Sequence, residues 1–298
     1  MDKPGGPTSH DVVRRVRRIF GLRAVGHTGT LDPFASGLMV VLLGRATRLA
    51  RFVEAASKTY LATARLGVRT DTDDATGTPI GGADGGHGAA DGEAVAVDES
   101  RVRAALAALS GPQRQRPPAY SAKHVAGTRS YRLARAGKRV ELRETAVTVH
   151  RIELVEWHRD AVTFRTVVSA GTYVRALARD LGDALGVGAH LSELRREAIG
   201  RLRVEEAVPL DALTRETLPV PLRHVLSDLP AVELDDAARA GVRHGRAVPM
   251  PADRAAAGQN TIVAGASPAV LLVADGEVVA VAREEGGWLR PSVVLEDA

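Results

Sequence analysis

Two β-rich runs in the middle of the chain constrain its fold more than any other feature. AVTVHRIELVEW (146–157) and AVTFRTVVSAG (161–171) are separated only by a short polar turn, so we predict two strands there. KTYLATARLGV (58–68) alternates apolar and polar residues and predicts another strand. Helical patterns flank these runs: SHDVVRRVRRIFG (9–21), with Ser9 as the predicted N-cap, and TYVRALARDLGDALG (172–186). We also predict a short helix at LSELRREAIG (191–200).

The length of 298 residues predicts about two domains. The pattern changes near Leu229, where AVLLVADGEVVAVARE predicts a hairpin around Asp275-Gly276 and WLRPSVVL predicts a further strand. We therefore predict one domain at 1–228 and a small, mostly β domain at 229–298. Residues 76–95 are rich in Gly, Ala and Asp and predict a flexible surface insertion in the first domain.

The composition excludes several kinds of chemistry. The chain has no Cys, which rules out disulfides, thiolate metal sites and a cysteine nucleophile, and which fits a reducing cytoplasm. The nine His show no metal-binding spacing, and no Walker, GxGxxG or GxSxG pattern occurs. The sequence also has no apolar run near the roughly 18 residues of a membrane span. We therefore expect no metal and no nucleotide cofactor.

Charge is distributed unevenly along the chain. Between His10 and Lys58 there are nine Arg or Lys and three acidic residues, whereas between Asp71 and Asp98 there are seven acidic residues and no Arg or Lys. Such asymmetry is typical of a protein with one face for a polyanion, although a solvated helix face gives the same pattern.

The stretch GHTGTLDPFASG (26–37) places a single carboxylate, Asp32, in a glycine-framed loop stiffened by Pro33. Asp before Pro is common in turns, so a structural role is one interpretation. The other is a nucleophile held in place, since glycines allow close approach of a ligand and a fixed carboxylate suits covalent or electrostatic catalysis.

Tyr60, Tyr173 and Arg175 each allow two interpretations. The tyrosines could pack in the core or could stack on a base taken out of its helix. Arg175 could be a solvated helix residue or the partner that keeps a buried Asp ionised. TDTDDATG (70–77) fails the EF-hand spacing, and we interpret it as a polar turn.

Seven motifs together resemble one family, the bacterial TruB-type tRNA pseudouridine synthases. They are DKPGGPTSHDVV, VGHTGTLDPFASGLMVVLLGRATRL, KTYLATARLG, TDTDDATG, QRPPAYSA, GTYVRALARDLG and HLSELRREAIG, which together run from Asp2 to about Arg203. The C-terminal segment more weakly resembles the PUA-like RNA-binding domain of these enzymes. The resemblance implies an α+β fold: a catalytic domain built around a mixed, largely antiparallel sheet with flanking helices, followed by a small β-barrel PUA-like domain.

The resemblance also implies an isomerase that converts uridine-55 in the T-loop of tRNA into pseudouridine without metal or cofactor. By position, Asp32 matches the essential aspartate, Tyr60 the tyrosine that stacks on the base and is suited to removing the C5 proton, and Arg175 the arginine that pairs with the aspartate. The positions that contact substrate in the family are matched by His27, Tyr173 and Leu194. The expected partner is the T-arm stem-loop of tRNA, bound by a cytoplasmic monomer with no membrane and no obligate protein partner.

Two other functions stay open at this point. One is an RNA-folding chaperone that binds tRNA and for which catalysis is secondary. The other is the guide-RNA-dependent relative found in archaea and eukaryotes, which the insertion pattern and the absence of basic tails disfavour. Retention of Asp32, Tyr60 and Arg175 favours an enzyme.

Overall fold

The fold is known from a computed structural model, which describes residues 1–80, 97–121, 123–125, 128–130, 142–251 and 269–296. The predicted flexible insertion at 76–95 lies outside these residues except for 76–80. Within the described ranges, no helix has the length and apolar character needed to cross a membrane.

A mixed sheet forms the centre of the first part of the chain. Its strands are β1 (Asp2–Lys3), β3 (Ser36–Leu38), β5 (Lys58–Leu66), β8 (Gly111–Gln115), β11 (Thr145–His158), β12 (Ala161–Val168), β13 (Ala189–Ile199) and β14 (Leu202–Arg203). They lie in the order β1-β3-β13-β5-β12-β11-β8, with β14 beside β13. Among these described strands only the β13–β3 pairing is parallel, so the predicted mixed, largely antiparallel sheet is confirmed.

The predicted strands bury alternate residues. In β12 the side chains of Val162, Phe164, Thr166 and Val168 are buried, and those that alternate with them are partly exposed. In β5 the alternation buries Tyr60 and Ala62 on one face of the sheet. Period-two burial of this kind is what allows one face of a sheet to cover a core while the other meets solvent.

The helix predicted at LSELRREAIG is wrong, because this segment belongs to strand β13. Leu191, Leu194 and Ala198 have helix-like spacing, but β13 carries two bulges, between Leu191 and Glu193 and between Arg196 and Ala198. Each bulge inserts one residue and shifts the alternation, so that the period of two is hidden in the sequence. Pairing with β5 on one side and β3 on the other decides the conformation.

Helix α1 (Ser9–Phe20) begins one residue earlier than predicted, since Ser9 lies inside the helix and is not its N-cap. Its N-cap is Thr8, whose hydroxyl accepts a hydrogen bond from the Asp11 amide, and Asp11 accepts one from the Thr8 amide in return. Val12, Val13 and Val16 are buried, whereas the four arginines of the helix are exposed. The Ser9 hydroxyl is therefore not the cap and bonds Leu31 instead.

Other short elements complete the first part of the chain. They are β2 (Val25–Thr28), paired with β4 (Val40–Leu43); β6 (Arg69–Thr70), paired with β7 (Pro79–Ile80); β9 (His124–Val125), paired with β10 (Thr128–Arg129); and the helices α2 (Ala50–Glu54), α3 (Glu99–Ala108) and α4 (Val174–Leu185). The predicted apolar stripe of α4 is buried against β13 and β5.

A second, five-stranded sheet follows. It has the order β15 (Ala231–Glu233), β17 (Ala269–Ala274), β18 (Glu277–Glu285), β19 (Trp288–Val294), β16 (Val248–Pro249), with α5 (Leu222–Val225) and α6 (Asp236–Arg243) beside it. The predicted hairpin is confirmed: Asp275 and Gly276, both at positive φ, connect β17 to β18. This sheet fits the predicted PUA-like domain, and the boundary at 228/229 stays a prediction.

One hydrophobic cluster joins the two sheets. On the side of the first sheet it contains Leu38, Val40 and Leu42, and on the side of the second it contains Leu271 and Val281, among others. Two hydrogen bonds reinforce this cluster. After β4, the guanidinium groups of Arg45 and Arg48 donate to the carbonyls of Leu295 and Val294 at the end of β19. The second sheet therefore packs directly on the strand that follows the Asp32 loop.

Candidate active site

The loop between β2 and β3 presents Asp32. Gly29, at φ +71°, lets the chain leave β2 in a left-handed conformation that other residues rarely adopt. The Ser9 hydroxyl accepts from the Leu31 amide and donates to its carbonyl, both at 3.0 Å. The Asp32 carbonyl accepts from the Ala35 amide at 3.1 Å, which closes a tight turn around Pro33. The Asp32 side chain is 31% exposed, so the carboxylate is fixed but accessible.

Arg175, in the first turn of α4, binds the Asp32 carboxylate with two nitrogens. Its Nε lies 2.9 Å from Oδ2 and its Nη2 lies 3.2 Å from Oδ1. The same guanidinium donates to the carbonyls of Tyr120 at 2.9 Å and Thr72 at 2.8 Å. The side chain is only 5% exposed, so its geometry is set by the protein. The predicted ion pair is present and is bidentate, the arrangement that fixes a carboxylate most firmly.

The pKa of Asp32 is raised above its ordinary value. Burial is the largest cause, because a desolvated carboxylate is disfavoured in its charged form. The Arg175 guanidinium opposes this shift and the nearby Asp74 carboxylate adds to it. Arg175 thus limits how far burial can push Asp32 toward its protonated form.

Asp74 is a site residue that the sequence did not reveal. Its Oδ2 lies 3.2 Å from Arg175 Nη1, and its side chain is 5% exposed. Its Oδ1 accepts from the hydroxyls of Thr72 at 2.8 Å and Thr76 at 2.6 Å, and from the Thr76 amide at 3.0 Å. The segment TDTDDATG is indeed a polar turn, but one that orients Arg175 from the side opposite Asp32.

A signal for this turn existed in the sequence. Arg175 and Arg179 lie one helical turn apart on α4, and Asp74 and Asp73 are adjacent. Arg179 Nη1 contacts Asp73 Oδ2 at 2.9 Å, parallel to the Arg175–Asp74 contact. Two arginines spaced i, i+4 on α4 therefore contact two consecutive acidic residues of the turn. The sequence predicts this pairing only if the two segments are compared with each other.

The ion pair lies in a cleft of about 710 Å³. Asp32, Tyr60, Tyr173, Arg175 and Leu194 all line it. Five of the six predicted site residues are thus brought together, from β5, β13, the β2–β3 loop and the start of α4. Volume and lining fit one flipped-out nucleotide with aromatic and apolar walls around a charged pair.

The tyrosines and Leu194 are held rigidly in the cleft wall. Tyr60 is 7% and Leu194 is 9% exposed. Tyr173 is the N-cap residue of α4, and the Gln115 side-chain amide bonds both its backbone amide and its carbonyl, at 2.8 and 3.1 Å. Burial raises the pKa of Tyr173, which keeps its hydroxyl protonated and able to donate.

His27 does not line this cleft. It lies in β2 opposite Val41, and burial, the largest cause, lowers its pKa. Its predicted contact with substrate stays a prediction.

A second cavity of about 640 Å³ lies between α1, β4 and the segment before α5. It is lined mainly by apolar side chains, among them Phe20, Val41 and Leu218. We place the chemistry in the first cleft because that cleft holds the Asp32–Arg175 ion pair.

Comparison with known proteins identifies one family. Residues 17–174 match the family described as TruB family pseudouridylate synthase (N terminal domain), and residues 175–231 match tRNA pseudouridylate synthase B C-terminal domain. A tRNA pseudouridine synthase B from Thermobifida fusca is 42% identical over 304 residues, covering 99% of this chain and 97% of the relative. One from Burkholderia pseudomallei is 44% identical over 252 residues, covering 83% of this chain and 80% of the relative.

Solved structures show the same fold. An archaeal box H/ACA sRNP Nop10-Cbf5 complex contains a chain that matches with a TM-score of 0.69 at 27% identity, covering 99% of this chain and 85% of that one. An H/ACA RNP bound to a substrate RNA containing 2'-deoxyuridine matches with a TM-score of 0.70 at 27% identity, covering 99% and 83%.

Proposed function

The chain belongs to the TruB family of pseudouridylate synthases, enzymes that isomerise uridine in tRNA to pseudouridine, and we propose that its target is uridine-55 in the T-loop. The observation that carries this proposal is the bidentate Arg175–Asp32 pair in the wall of a cleft of about 710 Å³. A turn-forming aspartate would need neither a buried arginine nor a second carboxylate behind that arginine.

The reaction balances without any other reactant. The C1′–N1 bond of uridine breaks, the uracil turns within the cleft, and a C1′–C5 bond forms. The proton on C5 is lost and N1 gains one, so substrate and product are isomers. Two routes start from ionised Asp32. In the first it acts on the sugar, either by attack on C1′ or by abstraction of a sugar proton to give a glycal. In the second it attacks the base at C6. In both routes a fixed and partly desolvated carboxylate acts on the flipped nucleotide, at the sugar in the first and at the base in the second.

The walls of the cleft suggest a role for each predicted residue. We assign Tyr60 to stacking on the uracil and to removal of the C5 proton, since it reaches the cleft from the central strand β5. Tyr173 and Leu194 would hold the opposite sides of the base. His27, beside the cleft, would contact the RNA next to the flipped nucleotide.

Binding of the RNA would begin at the exposed arginines of α1. A base in a folded loop must be taken out of its stack, at a cost of a few kcal/mol. Phosphate contacts from the exposed arginines of α1 would offset this cost and set the register of the RNA. Recognition of the T-arm, action as a monomer in the cytoplasm and independence of metal and cofactor stay predictions.

The decisive experiment maps pseudouridine in a tRNA transcript incubated with the purified protein alone. We expect one modified position, the T-loop uridine, and no modification when that uridine is replaced by cytidine. Modification without added guide RNA would exclude dependence on a guide. Tight binding with no pseudouridine would instead support the chaperone function and contradict our proposal.

A further inference from the structure

The side chain of Arg196 is 1% exposed, and within the described ranges no carboxylate lies within ion-pair distance of it. Its Nε donates to the Leu38 carbonyl at 2.6 Å and its Nη2 to the Gly29 carbonyl at 3.0 Å. A guanidinium cannot release its proton in a protein, so this buried charge is permanent. Burying a charge without a counter-charge is costly, and a cheaper apolar residue could fill the same volume.

Two buried lysines make this cost larger. Lys3 is fully buried and Lys58 is 8% exposed, and both donate to backbone carbonyls. The pKa of each is lowered to about 8, mainly by burial, with the Arg196 charge contributing. A charge retained in such surroundings points to a task that an apolar side chain could not perform.

The carbonyl groups that Arg196 holds lie on either side of Asp32. Gly29 opens the loop that carries the carboxylate, and Leu38 ends β3, the strand that follows that loop. Lys3 holds the far side of the same loop through the Pro33 carbonyl at 3.3 Å. Asp32 therefore lies on a loop whose two ends are both held by Arg196, while Lys3 holds the carbonyl of the residue that follows Asp32.

Space around Gly29 is limited by the same side chain. A Cβ at Gly29 would lie 3.4 Å from Arg196 Nη1 and 3.6 Å from the Cε of Lys58. Gly29, Lys58 and Arg196 all line the cleft. A shorter or more flexible side chain at 196 would let the entry to the loop move toward the space it vacated.

We propose that Arg196 is a positioning residue for catalysis: by bridging the Gly29 and Leu38 carbonyls it aims the Asp32 carboxylate at the reacting atom. This role rests on the proposed function. A misplacement of about 1 Å at a reacting group can lower a rate on the order of 100-fold. The largest influences on the pKa of Asp32 are burial, Arg175 and Asp74, so we expect Arg196 to act chiefly on the direction of the carboxylate.

The test is the single-turnover rate of pseudouridine formation at saturating enzyme, measured across pH for wild type, Arg196→Met and Arg196→Lys. Lysine keeps the charge but cannot bridge two carbonyls with a planar fork, whereas methionine removes both the charge and the bridge. For Arg196→Lys we expect a tRNA Kd within about 3-fold of wild type and a plateau rate lowered on the order of 100-fold. The acidic limb of its rate–pH profile should lie at the same pH as in the wild type.

Arg195→Met is the matched control. Arg195 is the adjacent residue of β13, 40% exposed in its side chain, and it pairs with Asp2 at 2.7 Å. We expect the plateau rate of Arg195→Met to stay within about 3-fold of the wild-type rate.

Three results would overturn the inference: Arg196→Lys at the wild-type rate, a rate loss fully explained by a smaller fraction of tRNA-binding protein, or a shifted acidic limb. An inactive wild-type protein would refute the proposed function itself, so failures of the two proposals are distinguishable.

Discussion

Arg175 meets Asp32 with its Nε and Nη2 at 2.9 and 3.2 Å, although the two residues lie 143 positions apart in the chain. The same guanidinium contacts Asp74 with its third nitrogen, Nη1, at 3.2 Å. One cation is therefore shared between an accessible carboxylate and a buried one. The Arg175 charge favours the ionised form of the desolvated Asp32 and the Asp74 charge disfavours it, so removal of Arg175 and removal of Asp74 should shift the pKa of Asp32 in opposite directions.

Asp32→Asn should abolish pseudouridine formation and leave tRNA affinity within a few-fold of wild type. The amide keeps the shape of the side chain but cannot attack carbon or stabilise a developing positive charge. Pseudouridine mapping together with a filter-binding assay measures both quantities. Substantial residual turnover would mean that the carboxylate serves the turn around Pro33 and not the chemistry.

Arg175→Met should lower turnover far more than binding and should move the acidic limb of the rate profile to higher pH. The raised pKa of Asp32 means that activity is lost as pH falls through that value, and Arg175 is the main group that holds it down. Residual activity should therefore recover as pH rises. Arg175→Lys should rescue only partly, because an ammonium lacks the planar fork. A mutant with the wild-type rate and pH profile would exclude the ion pair from catalysis.

Asp74→Asn should also lower the plateau rate, but its acidic limb should move to lower pH. The Asp74 charge raises the pKa of Asp32, so its removal lets Asp32 ionise more easily, while the loosened Arg175 loses part of its aim. Single-turnover rates across pH compare this variant directly with Arg175→Met. Limbs that move in the same direction in both variants would contradict the shared-cation arrangement.

Affinity for tRNA should fall steeply with salt. If phosphate contacts dominate binding, log K falls linearly with log[salt], with a slope of about −0.7 to −0.9 per neutralised phosphate. Arg15→Gln and Arg18→Gln change exposed residues of α1 that make no ion pair within the described ranges, so each should reduce the slope without changing the chemical rate. A salt-independent affinity would show that this helix is only a solvated surface.

The shared hydrophobic cluster should make the two sheets unfold together. Val281→Ala, in β18 of the second sheet, should cost about 1–3 kcal/mol of stability because it removes buried methyl groups and leaves a cavity. Calorimetry should show one transition for both wild type and variant. Two separated transitions would contradict packing of β18 against Leu38 and Leu42.

Sequence patterns predicted the strands and helices whose periodicity is regular, and failed where tertiary pairing distorts it. The alternation of β5 and β12 and the stripe of α4 are undisturbed, and these elements were predicted correctly. The two bulges of β13 give Leu191, Leu194 and Ala198 a helical spacing, which local patterns cannot correct.

The site was predicted in part for a similar reason. Asp32, Tyr60 and Arg175 stand in motifs specific enough to be matched singly, whereas Asp74 and Arg196 gain their importance only from contacts with distant segments. Asp74 reads as a turn residue until α4 is placed against it. The local sequence predicts that Arg196 is exposed, whereas pairing of β13 with β3 on one side and β5 on the other accounts for its burial.

The separation in sequence of these contacts has a consequence for how the protein is made. On a ribosome the Asp32 loop emerges early, but its partners Arg175 and Arg196 emerge 143 and 167 residues after the atoms they hold. β1 waits longer still, because its Asp2 bonds the backbone of Val208 and Leu210. Contacts this far apart close slowly and expose unpaired strand edges meanwhile. We therefore expect the Asp32 loop to lack these contacts through about two thirds of translation and to be held in place only after the last strands of the first sheet have been made.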